Sequence, residues 1–278
     1  MQFLNRIPAI VLCVVAMFSV QGGAGVAKYL FDALSPSGVV FLRVFLAALI
    51  VLALTRPKLN QLNRQQWQAI TWFGFSLGAM NFTYYLSLER LPLGLAVTIE
   101  FIGPLSVALW HSRRPLDWIW VALAACGLAL LNPFTGHVDG IGVVLALIAG
   151  VFWGAYIVLG QKMGQVLPGA QGLGVSMAIA ALFILPFGIS PSLPAFSDFP
   201  LLLAATGVAI LSSVIPYSLE IEALRRMDAR LFGIFMSMEP AIGCIMGFVL
   251  LHESLSFFQL AAIVMVSVAS YGSVRFAK

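Results

Sequence analysis

Ten apolar runs follow one another along this chain, each about as long as the ~20 residues a bilayer crossing needs. They cover roughly 7–31, 38–55, 67–88, 93–111, 117–133, 140–162, 171–190, 199–221, 230–251 and 256–275. Of the 278 residues, 61% are hydrophobic and 9% charged, with a mean hydropathy of +1.00. A soluble domain carries about 25% charged residues, so this chain has too few to cover a water-facing surface. Hydrocarbon offers no partner to an open backbone group, which leaves helices and closed barrels as the ways across, and runs of this length are helical. The expected fold class is an all-α polytopic membrane protein with ten transmembrane helices. The short loops leave no room for a lid or a soluble domain.

The chain also reads as one module written twice. Leu88 to Pro104 aligns with Leu224 to Pro240, and Phe18 to Lys28 with Phe152 to Lys162, at nearly the same offset. Helix, loop and proline fall in the same order. Residues 1–135 and 136–278 then form two five-helix repeats. Five is odd, so the second repeat must insert upside down relative to the first. Such inverted repeats are common in secondary transporters, where they give one central site two alternative accesses.

Charge sets orientation. With the N-terminus in the cytoplasm, every Lys and Arg except Lys28, Arg43 and Arg90 falls in a cytoplasmic loop or end. That bias predicts both termini inside. The net charge of +4 is therefore a topology signal, and no nucleic-acid partner is indicated. Cys13, Cys126 and Cys244 lie singly in apolar spans and read as small buried hydrophobes. The N-terminal run is longer than a signal-peptide core and reads as the first span. Asn63-x-x-Gln66 and Ser256-x-x-Gln259 fit capping boxes, and Asp117 fits a cap for span five. His111, His137 and His252 lack metal-ligand spacing, so no metal or cofactor is indicated. Without a phosphate-binding G-x-x-x-x-G-K-[ST] loop or a nucleophile–base set, neither ATP hydrolysis nor enzymatic chemistry is expected. Transport energy must then come from ion gradients.

Polar groups inside spans point to function, because a charge at a span centre costs about 2.5–3.5 kcal/mol to insert. Arg43, Glu100 and Glu239 meet that description. Pro104 cannot donate to the Glu100 carbonyl, and its repeat partner Pro240 frees the Met236 carbonyl beside Glu239. Glu100 is therefore the candidate to alternate between a proton and a substrate ammonium. Each glutamate also admits a structural reading, as an ion-pair partner of Arg43 that locks helices. Arg43, about five residues into span two, reads as charge-balancing. Asn81 and Tyr217 are repeat partners, with Tyr85 close by, and Gln21 precedes the Gly22–Gly25 run. These residues fit hydrogen bonding to a small zwitterion or between helices. Pro216 frees the Ser212 carbonyl. Gly74-x-x-x-Gly78 and Gly243-x-x-x-Gly247 are packing motifs, within one chain or across a homodimer.

Six segments in order then carry a resemblance. Ser76-Leu-Gly-Ala-Met-Asn81, Leu91-Pro-Leu-Gly94, Glu100-Phe-Ile-Gly-Pro104, Ser112-Arg-Arg-Pro-Leu-Asp117, Pro216-Tyr-Ser-Leu-Glu220 and Met236-Ser-Met-Glu-Pro240 together resemble the inner-membrane threonine/homoserine exporters. These belong to the drug/metabolite transporter superfamily, with EamA-type domains. The similarity spans about Gln21 to Gly272. It implies ten helices in two inverted repeats and proton-coupled export of threonine, homoserine and analogues. One departure is His252, where the pattern leads us to expect a small residue such as glycine.

The expected function is thus an amino-acid exporter of the bacterial inner membrane, working by alternating access. Its central cavity is expected between spans one to four and six to nine, with spans five and ten peripheral. Its partners are a small zwitterion, protons and lipid, and it is a monomer or a homodimer. Drug or other metabolite export by the same fold is the alternative within the class. A membrane channel or scaffold is the alternative outside it.

Overall fold

The computed structural model describes residues 7–91, 93–110, 115–130, 139–167, 171–236, 238–252 and 257–275. Arg6, His111, Arg113, Arg114, His137, Glu253, Ser256 and Lys278 lie outside them, and with Ser256 the second proposed capping box. The described residues form α1 (Ala9–Lys28), α2 (Phe31–Thr55), α3 (Arg64–Arg90), α4 (Leu93–Glu100), α5 (Ile102–Trp110), α6 (Pro115–Leu130), α7 (Gly140–Val166), α8 (Gln171–Ser197), α9 (Phe199–Ala209), α10 (Ile215–Leu224), α11 (Ala229–Met236), α12 (Glu239–Leu251) and α13 (Phe257–Arg275). They occupy the ten expected segments, because spans four, eight and nine are each interrupted.

The interruptions have local causes. Phe101 is a turn residue between α4 and α5, three residues before Pro104. Met238 is a turn residue just before Glu239 and Pro240. Both breaks stand where a proline removes the next helical donor, and they fall at matching places in the two halves. In span eight, Ile210 to Val214 form a π turn ahead of Pro216. There the amide of Ile215 closes on the carbonyl of Ile210, the wider loop a prolyl residue forces on the helix.

Two segments are longer than expected. Span two begins at Phe31 rather than 38, and α8 runs to Ser197 through Pro186, Pro191 and Pro194. Proline does not end α8, whereas α2 kinks just ahead of Pro36. In α2 the break it demands is absorbed at Ser35, which has φ 53° and ψ 162°. A non-glycine residue in that region stores about 1–3 kcal/mol of strain. Asp117 lies within the first turn of α6, which starts at Pro115, so the expected cap is inside the helix.

The predicted capping box at Asn63 forms. The Asn63 side chain accepts from the Gln66 amide at 2.9 Å, and the Gln66 side chain accepts from the Asn63 amide at 3.0 Å. Asp139 caps α7 through the amides of Ile141 and Gly142 and pairs with Arg90 at 3.1 Å. The Gly142 amide, then Arg90, hold its carboxyl below the usual aspartate range. His252 ends α12 at φ 55°, in the left-handed region. A glycine would sit there without strain, which explains why a small residue is expected.

Lipid, unlike water, does not sort apolar side chains inward. Val151, Leu182 and Leu203 are 61–70% exposed, as fits a hydrocarbon surround. Close approach therefore depends on small residues. Gly74 and Gly78 of α3 meet Ser176, Ile179 and Ala180 of α8, so that motif packs helices within one chain. Gly22, Gly23 and Gly25 of α1 meet Met246, Ser212 and Leu250, the close packing the sequence favours there. Serines add hydrogen bonds between helices, from Ser76 to the Phe152 carbonyl at 2.7 Å and from Ser176 to the Ile70 carbonyl at 3.1 Å. Cys13 and Cys244 are buried as expected, but Cys126 is exposed on α6. It sits on a peripheral helix, where facing lipid costs a thiol little.

The closest crossing brings the second half onto the first. A Cβ on Gly150 of α7 would lie 2.5 Å from the Glu100 carbonyl, and one on Gly103 would overlap the Gly150 carbonyl. Backbone thus rests on backbone beside Glu100. Gly150→Ala is expected to destabilise the protein by about 1–3 kcal/mol, the range for overpacking, and to displace Glu100. Thermal unfolding in detergent checks this. An unchanged midpoint would show that the crossing has slack.

The ends of the bundle differ. One gathers Ile7, whose carbonyl accepts from Arg226 at 3.0 Å, and Val166, whose carbonyl accepts from Gln66 at 3.0 Å. The other holds the Arg90–Asp139 pair and the bond from Tyr29 to the Leu250 carbonyl. At this second end a cleft of about 640 Å³ opens between the start of α2 and the end of α3.

Candidate functional site

Near the centre of the bundle lies a cavity of about 50 Å³, room for roughly three to five waters at ~10–15 Å³ each. α1 contributes Val20, Gln21 and Ala24, and α2 contributes Arg43. α3 supplies Met80, Asn81 and Tyr84, and α4 ends on Glu100. From the second half come Trp153 and Tyr156 of α7, Tyr217 and Glu220 of α10, and Glu239 at the start of α12. α8 gives no lining residue; it packs outside α2 and α3. α6 and α13 pack on each other at the periphery, as expected.

The interruptions position the acids. Glu100 is the last residue of α4 and Glu239 the first of α12. Each carboxylate thus stands where a helix stops or starts. A continuous helix would offer no such exposed backbone ends at mid-membrane depth.

Arg43 sits at the middle of α2, 2% exposed. The sequence puts it near the span's start; in the structure it lies two turns beyond Pro36, where the continuous helix resumes after the kink at Ser35. Its guanidinium donates to the Tyr85 hydroxyl at 3.1 Å and to the Tyr217 hydroxyl at 3.3 Å. It also stacks over the Tyr85 ring, 4.7 Å from the centroid. Tyr217 passes the chain on, donating to Asn81 at 2.9 Å, and Asn81 donates to the Leu77 carbonyl at 2.8 Å. No ion pair joins Arg43 to a carboxylate among the described residues. The helix-locking Arg–Glu bridge is therefore not formed. Tyr85 is not among the residues lining the cavity, and its ring packs at 5.8 Å on that of Phe31, which borders the cleft of about 640 Å³.

Across the cavity, Gln21 donates to one oxygen of Glu239 at 3.0 Å. The other oxygen of Glu239, the Gln21 carbonyl oxygen, Nε of Arg43 and the Tyr84 hydroxyl are buried without a partner. Buried polar atoms are rarely left so, and each open one needs an explanation. No described residue donates a hydrogen bond to the Glu100 carboxyl.

Gln21, Arg43, Asn81, Glu100, Tyr217 and Glu239 thus come together as wall residues, with Tyr85 one step back. Sequence reasoning passed over Glu220. It lies near the expected end of its span, yet it is buried and accepts from Tyr156 at 2.6 Å. The repeat offered a signal, since Tyr156 aligns with Gly22, next to Gln21 in the first half. Trp153, whose ring meets Phe101 edge-on at 5.7 Å, carried no signal beyond its place in the repeat.

The relatives bear on this arrangement. A threonine/homoserine exporter, RhtA, of Escherichia coli strain K12 is 43% identical over 95% of this chain and 90% of its own length. Its Salmonella typhimurium LT2 counterpart is 42% identical over 96% and 91%. The model of the EamA-like transporter family matches residues 140–275. This chain belongs to the EamA-like transporter family. A solved structure, described only as a crystal structure of a protein, superposes with a TM-score of 0.72 over 97% of this chain and 98% of that one. Its identity is 20%, so it shows the fold alone. The chain is a multi-pass membrane transporter of that family.

Proposed function

We propose that this EamA-family protein exports small zwitterionic amino acids, threonine and homoserine among them, by proton-coupled alternating access. Its setting is the bacterial inner membrane, with both termini cytoplasmic. The observation that carries the reading is a set of open groups on residues that line one cavity: the Nε–H of Arg43, a carboxylate oxygen of Glu239 and the Gln21 side-chain oxygen. A zwitterion satisfies donor and acceptors alike. Its carboxylate accepts from Arg43, and its ammonium donates to Glu239, Gln21 and Glu100.

The relatives' names supply the substrate class. The repeat supplies the mechanism: halves 1–135 and 136–278, inverted, carry helix breaks at Phe101 and before Glu239 beside one shared cavity. The small volume fits an occluded form that widens to admit cargo. In this reading the basic end around Arg226 is cytoplasmic and the cleft beside Phe31 opens to the outside. Phe31 and Tyr85 then form the outer closure, and Ser35 marks where α2 bends to open it.

Proton coupling is energetically sufficient. One proton crossing 100 mV releases about 2.3 kcal/mol, enough for roughly a fiftyfold gradient of a neutral zwitterion. The test is efflux of preloaded labelled threonine from proteoliposomes, with and without an imposed pH gradient. Saturable flux that rises with the gradient is expected. Saturable flux indifferent to it would make the protein a uniporter or exchanger. Absence of threonine flux would remove the substrate assignment.

A further inference from the structure

The four open polar atoms of the cavity form an inventory. Arg43 Nε is a donor, while the Glu239 oxygen and the Gln21 carbonyl oxygen are acceptors. Together they match the two charged ends of an amino acid and leave one atom over. That atom is the Tyr84 hydroxyl, which both donates and accepts.

The other tyrosines around the cavity are engaged. Tyr85 accepts from Arg43, Tyr217 donates to Asn81, and Tyr156 donates to Glu220. Tyr84 alone among them keeps a buried, open hydroxyl, though its residue is 9% exposed and lines the cavity wall. Its ring is fixed by an edge contact with Tyr85 at 6.0 Å, and the Tyr84 carbonyl is held by Ser87 at 2.7 Å. The hydroxyl is therefore carried on α3, one turn after Asn81, and takes no hydrogen bond from Arg43, whose bonded donors go to Tyr85 and Tyr217.

We propose that Tyr84 reads the side-chain hydroxyl of the substrate, so that the cavity selects hydroxy amino acids over their deoxy analogues. The inference rests on the amino-acid exporter reading above. A site with a buried polar group waiting for a substrate hydroxyl penalises an analogue that lacks one, because that group then stays unpaired. One hydroxyl that both donates and accepts suits threonine and homoserine alike, whose hydroxyls differ in place by one carbon.

The experiment uses the full-length protein in proteoliposomes and compares saturable efflux of threonine, homoserine and 2-aminobutyrate, which is threonine without its hydroxyl. The wild type is expected to favour threonine over 2-aminobutyrate by about tenfold or more in transport efficiency. Tyr84→Phe is expected to bring that ratio close to one, by lowering threonine and homoserine while 2-aminobutyrate holds its rate. The 2-aminobutyrate flux reports that the variant is folded. A wild type that moves both substrates equally would overturn the proposal while leaving the exporter reading standing. So would a Tyr84→Phe protein with the wild-type ratio, or one that loses both substrates alike. A wild type that moves no amino acid fails the exporter reading itself.

Discussion

Replacing Arg43 by lysine is expected to lower the efficiency of threonine efflux about a hundredfold while the protein still inserts. The charge stays, so the variant keeps a cation in the cavity wall. What it loses is the planar fork that reaches Tyr85 and Tyr217 together and keeps a third, unpaired donor at Nε. Lysine has one compact donor group on a flexible stem and cannot hold that geometry. A hydrogen bond to a charged group contributes about 1.5–3 kcal/mol, which is about 10- to 150-fold. The measurement is the concentration dependence of efflux for threonine beside threoninol, which lacks the carboxylate. Threonine should fall toward threoninol, and threoninol should not change. Equal losses on both would assign Arg43 to holding α2, α3 and α10 together instead of to the carboxylate.

Glu100→Gln is expected to abolish the response of efflux to a pH gradient and leave downhill threonine exchange in place. Glutamine keeps the shape and the carbonyl oxygen but carries no ionisable proton. The choice of Glu100 over its neighbours follows from its contacts. Glu239 is tied to Gln21 and Glu220 to Tyr156, whereas none of the described residues donates to Glu100. A carboxyl that trades a proton for an ammonium must be free to change partners. The expected loss is the whole gradient-driven component, roughly fiftyfold in accumulation for a driving force of 100 mV. Exchange of labelled for unlabelled threonine at equal pH shows that the variant is intact. Full gradient response in that variant would move the proton to another residue, and Glu220 would be the next to test.

The charged residues of the cavity were not equally readable from sequence. Glu100 and Glu239 announce themselves because each sits beside a proline deep in an apolar run, and a charge there is expensive without a purpose. Arg43 was visible, but its depth in the span depends on where α2 starts. The helix that holds Arg43 starts at Pro36, and a short helical piece precedes it across the kink at Ser35. Glu220 was hidden for the related reason that α10 runs on to Leu224 past its expected end. Tyr85 was taken for a wall residue, because a side chain's direction around a helix cannot be read where both lipid and interior are apolar.

What the sequence determined by itself was the succession of apolar helical segments, the proline breaks and the presence of buried charge. All of these follow from local chemistry, because hydrocarbon obliges every backbone group to bond within its own helix. The tertiary structure alone decided which polar atoms face one another and which are left open. That outcome depends on glycines such as Gly103 and Gly150, which let α5 and α7 touch backbone to backbone and bring Glu100 to the same cavity as Arg43 and Glu239. In a solvent as apolar as the side chains, packing selects the partners of a helix, and packing is settled only when all the helices are in place.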